Sequence, residues 1–363
     1  MKPEISLPQL DMFPRYAELG ASSRLRFYQY AAKWAAEGGT VAVHPFFGSD
    51  YLSALYRTGR KSPSALTGGW FRRLGELKRA GRNLLIEYEL FPFLPFIFEY
   101  SFLKRRSFIL NFDDAVYLKY SGIPFLRNKY DRLIKNASGV ICANDLLLEW
   151  ARRLNNNVMK LPTVVNLASY RKVVPEKFSR LTVVWIGSPA TYNYLLNAHE
   201  HLLAMRAVAD FQLLVIGGEP LPEYPLSGID VRYEKWSEST EIELLKSSHI
   251  GIMPLPEHDR FARGKSAFKL IQYCAAEIPA IASDVGENRN VLADGITGFL
   301  ANTPADWAAA FRELTSLHLR EEFSHNCRDR AEEFSLEHYY PQFREYILLQ
   351  YVKLVRQWVY LQV

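Results

Sequence analysis

The chain has little cysteine, no apolar run long enough to cross a bilayer and no complete glycine signature for a nucleotide cofactor. Its 363 residues hold three cysteines, Cys142, Cys274 and Cys327, far apart and without a C-x-x-C pair. That excludes a disulfide framework or zinc ribbon and reads as buried thiols in a reducing, cytoplasmic compartment. The strongest apolar run, Leu90–Phe98, is bounded by Glu89 and Glu99 and is too short to span hydrocarbon. No charged segment followed by an apolar one opens the chain, so no secretory signal is expected. No G-x-G-x-x-G follows the first strand of either half; Gly217-Gly218-Glu219-Pro220 lacks the third glycine, which argues against a dinucleotide cofactor. Gly264-Lys265-Ser266 resembles the end of a P-loop, but Asp259 stands where the leading glycine belongs, and a P-loop NTPase is excluded.

What is present describes a globular protein. Hydrophobic residues make up 48% of the chain and mean hydropathy is −0.13, and the length implies two domains. Charge is divided unevenly. Residues 1–178 carry 27 Lys+Arg against 15 Asp+Glu, a net of +12, whereas the remainder carries 17 against 24, a net of −7. The first half reads either as facing something anionic, such as a phospholipid surface, a lipid diphosphate or an acidic glycan, or as a solvated surface that happens to be basic. No nucleic-acid partner is expected. Lys104-Arg105-Arg106 follows the apolar run, so Leu90–Phe98 reads either as a membrane-dipping segment or as a buried helix start.

Short apolar strands alternate with amphipathic helices. Strands are expected at Ile5–Leu7, Val41–His44, Leu84–Tyr88, Phe108–Asn111, Val140–Ala143 and Val158–Leu161, with helices at Arg24–Glu37, Ser64–Ala80, Phe125–Ala137 and Asp145–Leu154. Regularity lapses around Pro162–Arg180, where Pro162 and Pro175 bracket a hinge. It resumes with strands at Leu181–Ile186, Gln212–Ile216, Val231–Tyr233, Ile250–Pro254 and Ala280–Ser283. The helices of this half are expected at Tyr192–Val208, Ser239–Lys246, Ala267–Ala276 and Ala305–Thr315. This is α/β architecture: two Rossmann-like doubly wound domains, at 1–165 and 181–335, joined by a linker at 166–180. A last helix, 336–363, is expected to cross back onto the first domain.

The chemistry concentrates in Arg263–Leu300. A cationic loop with Arg263 and Lys265 leads into a helix bearing Lys269 and Gln272, then a buried strand and the turn Gly286-Glu287-Asn288. Lys265 and Lys269 are four apart and are expected on one helix face near its start, where cations and free N–H groups neutralise a diphosphate. The run Ala275–Gly286, continued by Asp294-Gly-Ile-Thr-Gly-Phe-Leu300, resembles the donor-domain signature of the retaining GT-B glycosyltransferases usually numbered family 4. The resemblance is weaker over Gly20–Tyr30, Asn83–Pro92, Phe112–Ala115 and Leu161–Val165.

It implies two domains facing a cleft, a nucleoside diphosphate sugar held by the second, and no metal or other cofactor. The family's signature has two glutamates separated by seven residues. The second aligns with Gln272, suited to ribose hydroxyls, and the first with Gly264, so that Glu257 in an enlarged loop is the candidate substitute. The family's arginine and lysine after Gly187-Ser188 are absent, which leaves Ser188 and Thr191 to contribute hydroxyl or amide contacts. Trp236 falls where relatives hold the base. Gly20, Ser22 and Arg24 resemble the family's first strand-to-helix loop, with Ser22 or Ser23 as an N-cap. Asp113 and Asp114 end a strand and are candidates for binding or deprotonating an acceptor hydroxyl; at most one faces substrate. Glu87 and Glu89 are weaker candidates of the same kind, and His44 and His199 have no evident partner.

The expected activity is transfer of a sugar, with retention, to a glycan or lipid-linked acceptor in polysaccharide or glycolipid synthesis at the inner face of a membrane. Two alternatives stand beside it: a nucleotide-sugar epimerase of the same architecture, and a non-catalytic sugar- or lipid-binding protein.

Overall fold

The computed structural model describes residues 7–217 and 226–360. Ile5 and Ser6 of the expected opening strand, Gly218–Pro220 and Leu361 lie outside them. The chain divides into two compact units, one formed by residues up to Thr163 with those from Tyr339 onward, the other by Val164–His338.

In the first unit β1 (Leu10–Phe13), β2 (Val41–Val43), β3 (Asn83–Glu87), β4 (Ser107–Phe112), β5 (Gly139–Cys142) and β6 (Val158–Lys160) form a sheet ordered β2-β1-β3-β4-β5-β6. Every pairing is parallel, with Leu84 opposite Phe108 and Leu110 opposite Val140. Parallel strands need crossover helices and are buried on both faces, which is why β4 and β5 are buried throughout and mostly apolar, with Ser107 and Asn111 the polar positions of β4. The first strand among the described residues is Leu10–Phe13. Asp11 interrupts its apolar pattern yet is buried, because His44 Nε2 lies 2.9 Å from its Oδ1 and the Gly81 N–H donates to its Oδ2 at 2.9 Å. His44 therefore has a partner that the sequence did not suggest.

One helical stretch follows β1: α-helical at Ala21–Ser23, π-helical at Arg24–Tyr28 and α-helical again at Gln29–Ala36. The helix Ser49–Thr58 was not expected; the helix Phe96–Leu103 begins inside Leu90–Phe98, one of whose two readings was a helix start. The helix Leu336–Tyr360 belongs to this unit from Tyr339 onward. Phe343 lies 4.6 Å from the Tyr30 ring and meets Trp34 edge-on, while the Tyr346 hydroxyl donates to the Asn157 carbonyl at 2.8 Å and accepts from the Val140 N–H at 3.0 Å.

In the second unit β7 (Thr182–Ile186), β8 (Gln212–Ile216), β9 (Asp230–Glu234), β10 (Ile250–Met253), β11 (Ala280–Ala282) and β12 (Gly298–Leu300) run parallel in the order β12-β11-β10-β7-β8-β9. Alternate residues feed two cores. Val184, Ile186, Leu214 and Ile216 pack on one face; Val183, Trp185, Leu213 and Val215 pack on the other. Residues 166–180 are not a free linker. Leu167–Arg171 is helical, and Leu167 and Tyr170 are buried in the second core, with Phe178 packed against it. The helix expected over Tyr192–Val208 is broken into Tyr192–Leu196 and His199–Arg206, and an unexpected helix occupies Leu317–Glu333.

Candidate functional site

The order of the second sheet reverses between β7 and β10. In open α/β sheets the loops leaving the carboxyl ends of two such strands splay apart and frame a binding crevice. After β7 come Gly187 and Ser188, then a turn in which the Thr191 hydroxyl donates to the Ser188 carbonyl at 3.0 Å. Gly217, after β8, has φ +82, and a Cβ there would sit 2.3 Å from the Gly187 carbonyl oxygen, so glycine alone permits this approach. Trp236, after β9, lies beside the same point, its Cβ 3.3 Å away, and its indole N–H donates to Glu241. After β10 the chain enters a long loop, where the Tyr194 hydroxyl donates to Asp259 Oδ2 at 3.2 Å. That bond ties the β7 side of the crevice to the β10 side.

A 3-10 turn, Ala262–Gly264, closes the loop. Lys265 is extended (φ −72, ψ 147), Ala267 is left-handed (φ 52), and the helix Phe268–Ala275 begins only then. Lys265 and Lys269 consequently do not share a helix face, as their spacing suggested. The left-handed Ala267 breaks the helix between them. Lys265 Nζ lies 4.6 Å from the centroid of Phe261, whereas Lys269 Nζ lies 5.4 Å from that of Trp185, near the carboxyl end of β7. Gly286 (φ +57) brings the loop after β11 against this turn. A Cβ there would be 2.5 Å from the Arg263 carbonyl oxygen. Beyond it Glu287 and Asn288 are buried, and Asn288 donates to the Ser283 carbonyl at 2.9 Å.

The first sheet reverses between β1 and β3, and a polar centre occupies the carboxyl ends there. Glu87 ends β3 and is 1% exposed. It accepts from the Ser22 and Ser23 hydroxyls, each at 2.6 Å, and from the Arg15 N–H at 2.6 Å. Asp113, just after β4, is also buried and accepts from the Tyr88 hydroxyl, and Ser22 lies within hydrogen-bond reach of it as well. Burial first, then the charge on Asp113, raises the Glu87 carboxyl above its usual range; burial and then Asp114 do the same to Asp113. Tyr88 itself has φ 61, an unfavourable conformation for a tyrosine, held in place by its buried ring and that hydrogen bond.

Glu89 has a different role. Its side chain is fully buried, with Lys129 Nζ 2.6 Å away, Arg15 Nη1 3.2 Å away, and Tyr120 and Tyr130 donating to it. Burial opposes ionisation, but Lys129 and Arg15 outweigh it and hold Glu89 below the usual carboxylate range.

Comparison with known proteins bears chiefly on the second unit. Residues 180–316 match the family described as Glycosyl transferases group 1. No curated protein matches the chain by sequence. Among solved structures it is similar to a glycosyltransferase from Rickettsia africae, 13% identical, with a TM-score of 0.66 over 95% of this chain and 99% of that one. It is also similar to sucrose-phosphate synthase from Thermosynechococcus elongatus (16%, TM-score 0.63, 97% and 99%) and to Anabaena HepE solved with UDP-glucose (10%, 0.67, 95% and 99%). At such identities the likeness shows a shared fold, that of two Rossmann-like domains. Together with the family match it supports a glycosyltransferase.

Within this glycosyltransferase fold the predicted residues fall into two groups. Gly187, Ser188, Trp236, Arg263, Lys265, Lys269, Gly286, Glu287 and Asn288 all lie on loops or helix starts at the carboxyl ends of the second sheet. Gln272 is inside the helix Phe268–Ala275 and only 5% exposed, and Glu257 is exposed on the long loop. In the first unit Gly20 is the N-cap, in extended conformation, and the expected serine cap is not formed. Ser22 and Ser23 lie inside the first turn and spend their hydroxyls on Glu87 instead. Arg24 is half-buried, its Nη1 donating to the Glu18 carbonyl at 3.4 Å. Of the two aspartates Asp113 is buried and Asp114 half-buried. Sequence reasoning missed Arg15 and Tyr88 and underrated Glu87. With the first strand placed at Leu10–Phe13, Arg15 would have stood out as a cation at a strand's carboxyl end.

Proposed function

We propose that the chain is a retaining glycosyltransferase that moves a sugar from a nucleoside diphosphate sugar to an acceptor hydroxyl in glycan, polysaccharide or glycolipid synthesis. The observation that carries the reading is the close approach of Gly286 to Arg263, which sets a glycine turn beside the Arg263–Lys265 loop at the reversal point of the second sheet. Lys265, Lys269 and Arg263 neutralise the diphosphate, Gln272 and Trp236 take the nucleoside, and Glu257 takes the sugar. HepE, a structural neighbour, was solved with UDP-glucose, which makes a uridine donor the first to test.

On the first unit one of Asp113 and Asp114 receives the acceptor hydroxyl. Glu87 positions Ser22 and Ser23, and through Ser22 it fixes the surroundings of Asp113. In the reaction the bond between the anomeric carbon and the diphosphate oxygen breaks, and the acceptor oxygen bonds to the same face of that carbon. The acceptor's proton passes to the departing diphosphate, whose charge the lysines stabilise. No metal is assigned a part in this scheme.

The test is calorimetric titration of UDP and GDP, followed by product analysis. Lys265→Ala is expected to weaken diphosphate binding about tenfold or more, the usual effect of removing a hydrogen bond to a charged group. Nucleotide release should require an acceptor extract. An epimerised sugar nucleotide formed from donor alone would replace this reading with the epimerase, and tight binding without turnover would replace it with a binding protein.

A further inference from the structure

The loop Leu90–Pro95 and the first turn of the helix Phe96–Leu103 display apolar side chains that the first unit does not cover. Ile97 is 71% exposed, Phe93 47% and Phe98 38%. Chains usually hide such residues or let them move with a flexible loop. Here the segment is clamped from beneath. Lys129, with no exposed side-chain surface, lies 2.6 Å from Glu89 and 2.8 Å from Glu99 and donates to the Phe91 carbonyl at 2.7 Å. The Leu90 N–H donates to Glu99 Oε1 at 2.5 Å, and the Phe93 N–H donates to the Tyr120 hydroxyl at 2.9 Å. Phe93 is held at φ 64, a left-handed conformation that a phenylalanine does not adopt unforced. A strained aromatic turned toward solvent from a rigid clamp indicates a surface built to be covered.

Its charge setting indicates by what. Lys104 and Arg105 are exposed at the end of the same helix, and the Arg132 guanidinium lies 5.9 Å from the Phe96 ring. The half of the chain that holds the patch carries a net charge of +12. Apolar anchors rimmed by cations match a bilayer containing anionic lipid, where the anchors enter the acyl boundary and the cations meet headgroups. No helix among the described residues is long and apolar enough to cross a membrane, so any attachment here is to a surface. We propose that Phe93, Ile97 and Phe98, with Lys104 and Arg105, dock the first unit on an anionic membrane surface. The proposal stands independently of the transferase reading.

The experiment is co-sedimentation of the full chain with phosphatidylcholine vesicles, with and without phosphatidylglycerol. Binding should require phosphatidylglycerol and fall as salt rises. Each cation near an anionic surface adds about fivefold in partition, so Lys104→Ser with Arg105→Ser should lower binding about 25-fold. Ile97→Ser should lower it without changing thermal stability, since Ile97 takes no part in the clamp. Ile97→Trp is expected to retain binding and to show an emission blue shift only with phosphatidylglycerol vesicles. Equal binding to both vesicle types, no binding to either, or an unshifted tryptophan would overturn the proposal. So would binding to dextran sulfate that leaves Ile97→Ser unaffected, because a soluble polyanion would then be the partner.

Discussion

Gly286 and Gly295 form a matched pair that isolates the close approach on which the proposed donor site depends. Both are left-handed, at φ +57 and φ +70. Alanine at either position carries the left-handed penalty of about 1–2 kcal/mol. At Gly295 nothing lies within 4 Å of the added Cβ, so that penalty is the whole effect. At Gly286 the Cβ would meet the Arg263 carbonyl oxygen at 2.5 Å, its carbon at 3.1 Å and its Cα at 3.2 Å. These are backbone atoms and cannot swing aside as a flexible side chain would. The two loops must separate, at a further cost of about 1–3 kcal/mol, as for other overpacked sites. Each kcal/mol lowers Tm by about 2–4 °C in a domain of this size. Gly286→Ala should therefore melt several degrees below Gly295→Ala. It should also bind UDP at least tenfold more weakly by calorimetry, while Gly295→Ala binds normally. Equal melting temperatures, or an undiminished UDP affinity in folded Gly286→Ala, would refute the argument that this contact builds the site.

Two other predictions concern the first unit. Because the folded state raises the pKa of Asp113, it binds protons more readily than the unfolded chain; stability is greatest below the ordinary carboxylate range and declines as pH rises through the raised value. Asp113→Asn should thus melt higher than the parent near neutral pH, a difference that shrinks on acidification, and should lose acceptor-dependent turnover; a pH-independent difference in Tm would contradict this. Lys129→Ala leaves Glu89 and Glu99 buried without their ammonium and is expected to destabilise the protein by about 3–5 kcal/mol in denaturant titrations.

The apolar runs of parallel strands were legible in the sequence because burial on both faces leaves little polar interruption: Gln212–Ile216 begins and ends where expected. The strand Leu10–Phe13 was not, since Asp11 breaks its pattern and takes, besides Gln9, two partners remote in sequence, His44 and Gly81. The loops at the carboxyl ends of the second sheet were singled out through contiguous motifs. Their geometry was not, because a helical spacing between Lys265 and Lys269 says nothing of a left-handed Ala267 between them. The centre around Glu87 draws on Arg15, Ser22, Tyr88 and Asp113 from separate segments, and no spacing rule links these positions. The cysteines show the same limit. Cys274 and Cys327, distant in the chain, meet in one core, and the Cys274 contact together with burial raises the Cys327 thiol well above its usual range.

The final helix has a consequence for biosynthesis. Phe343 covers Tyr30 and Trp34, and Tyr346 bonds the backbone of β5, so a segment made early waits for one made some three hundred residues later to finish its interior. The second unit is continuous in sequence and can mature during that wait. A nascent chain stopped before Tyr339 would present bare aromatic rings to chaperones, which makes termination ahead of this helix unusually damaging.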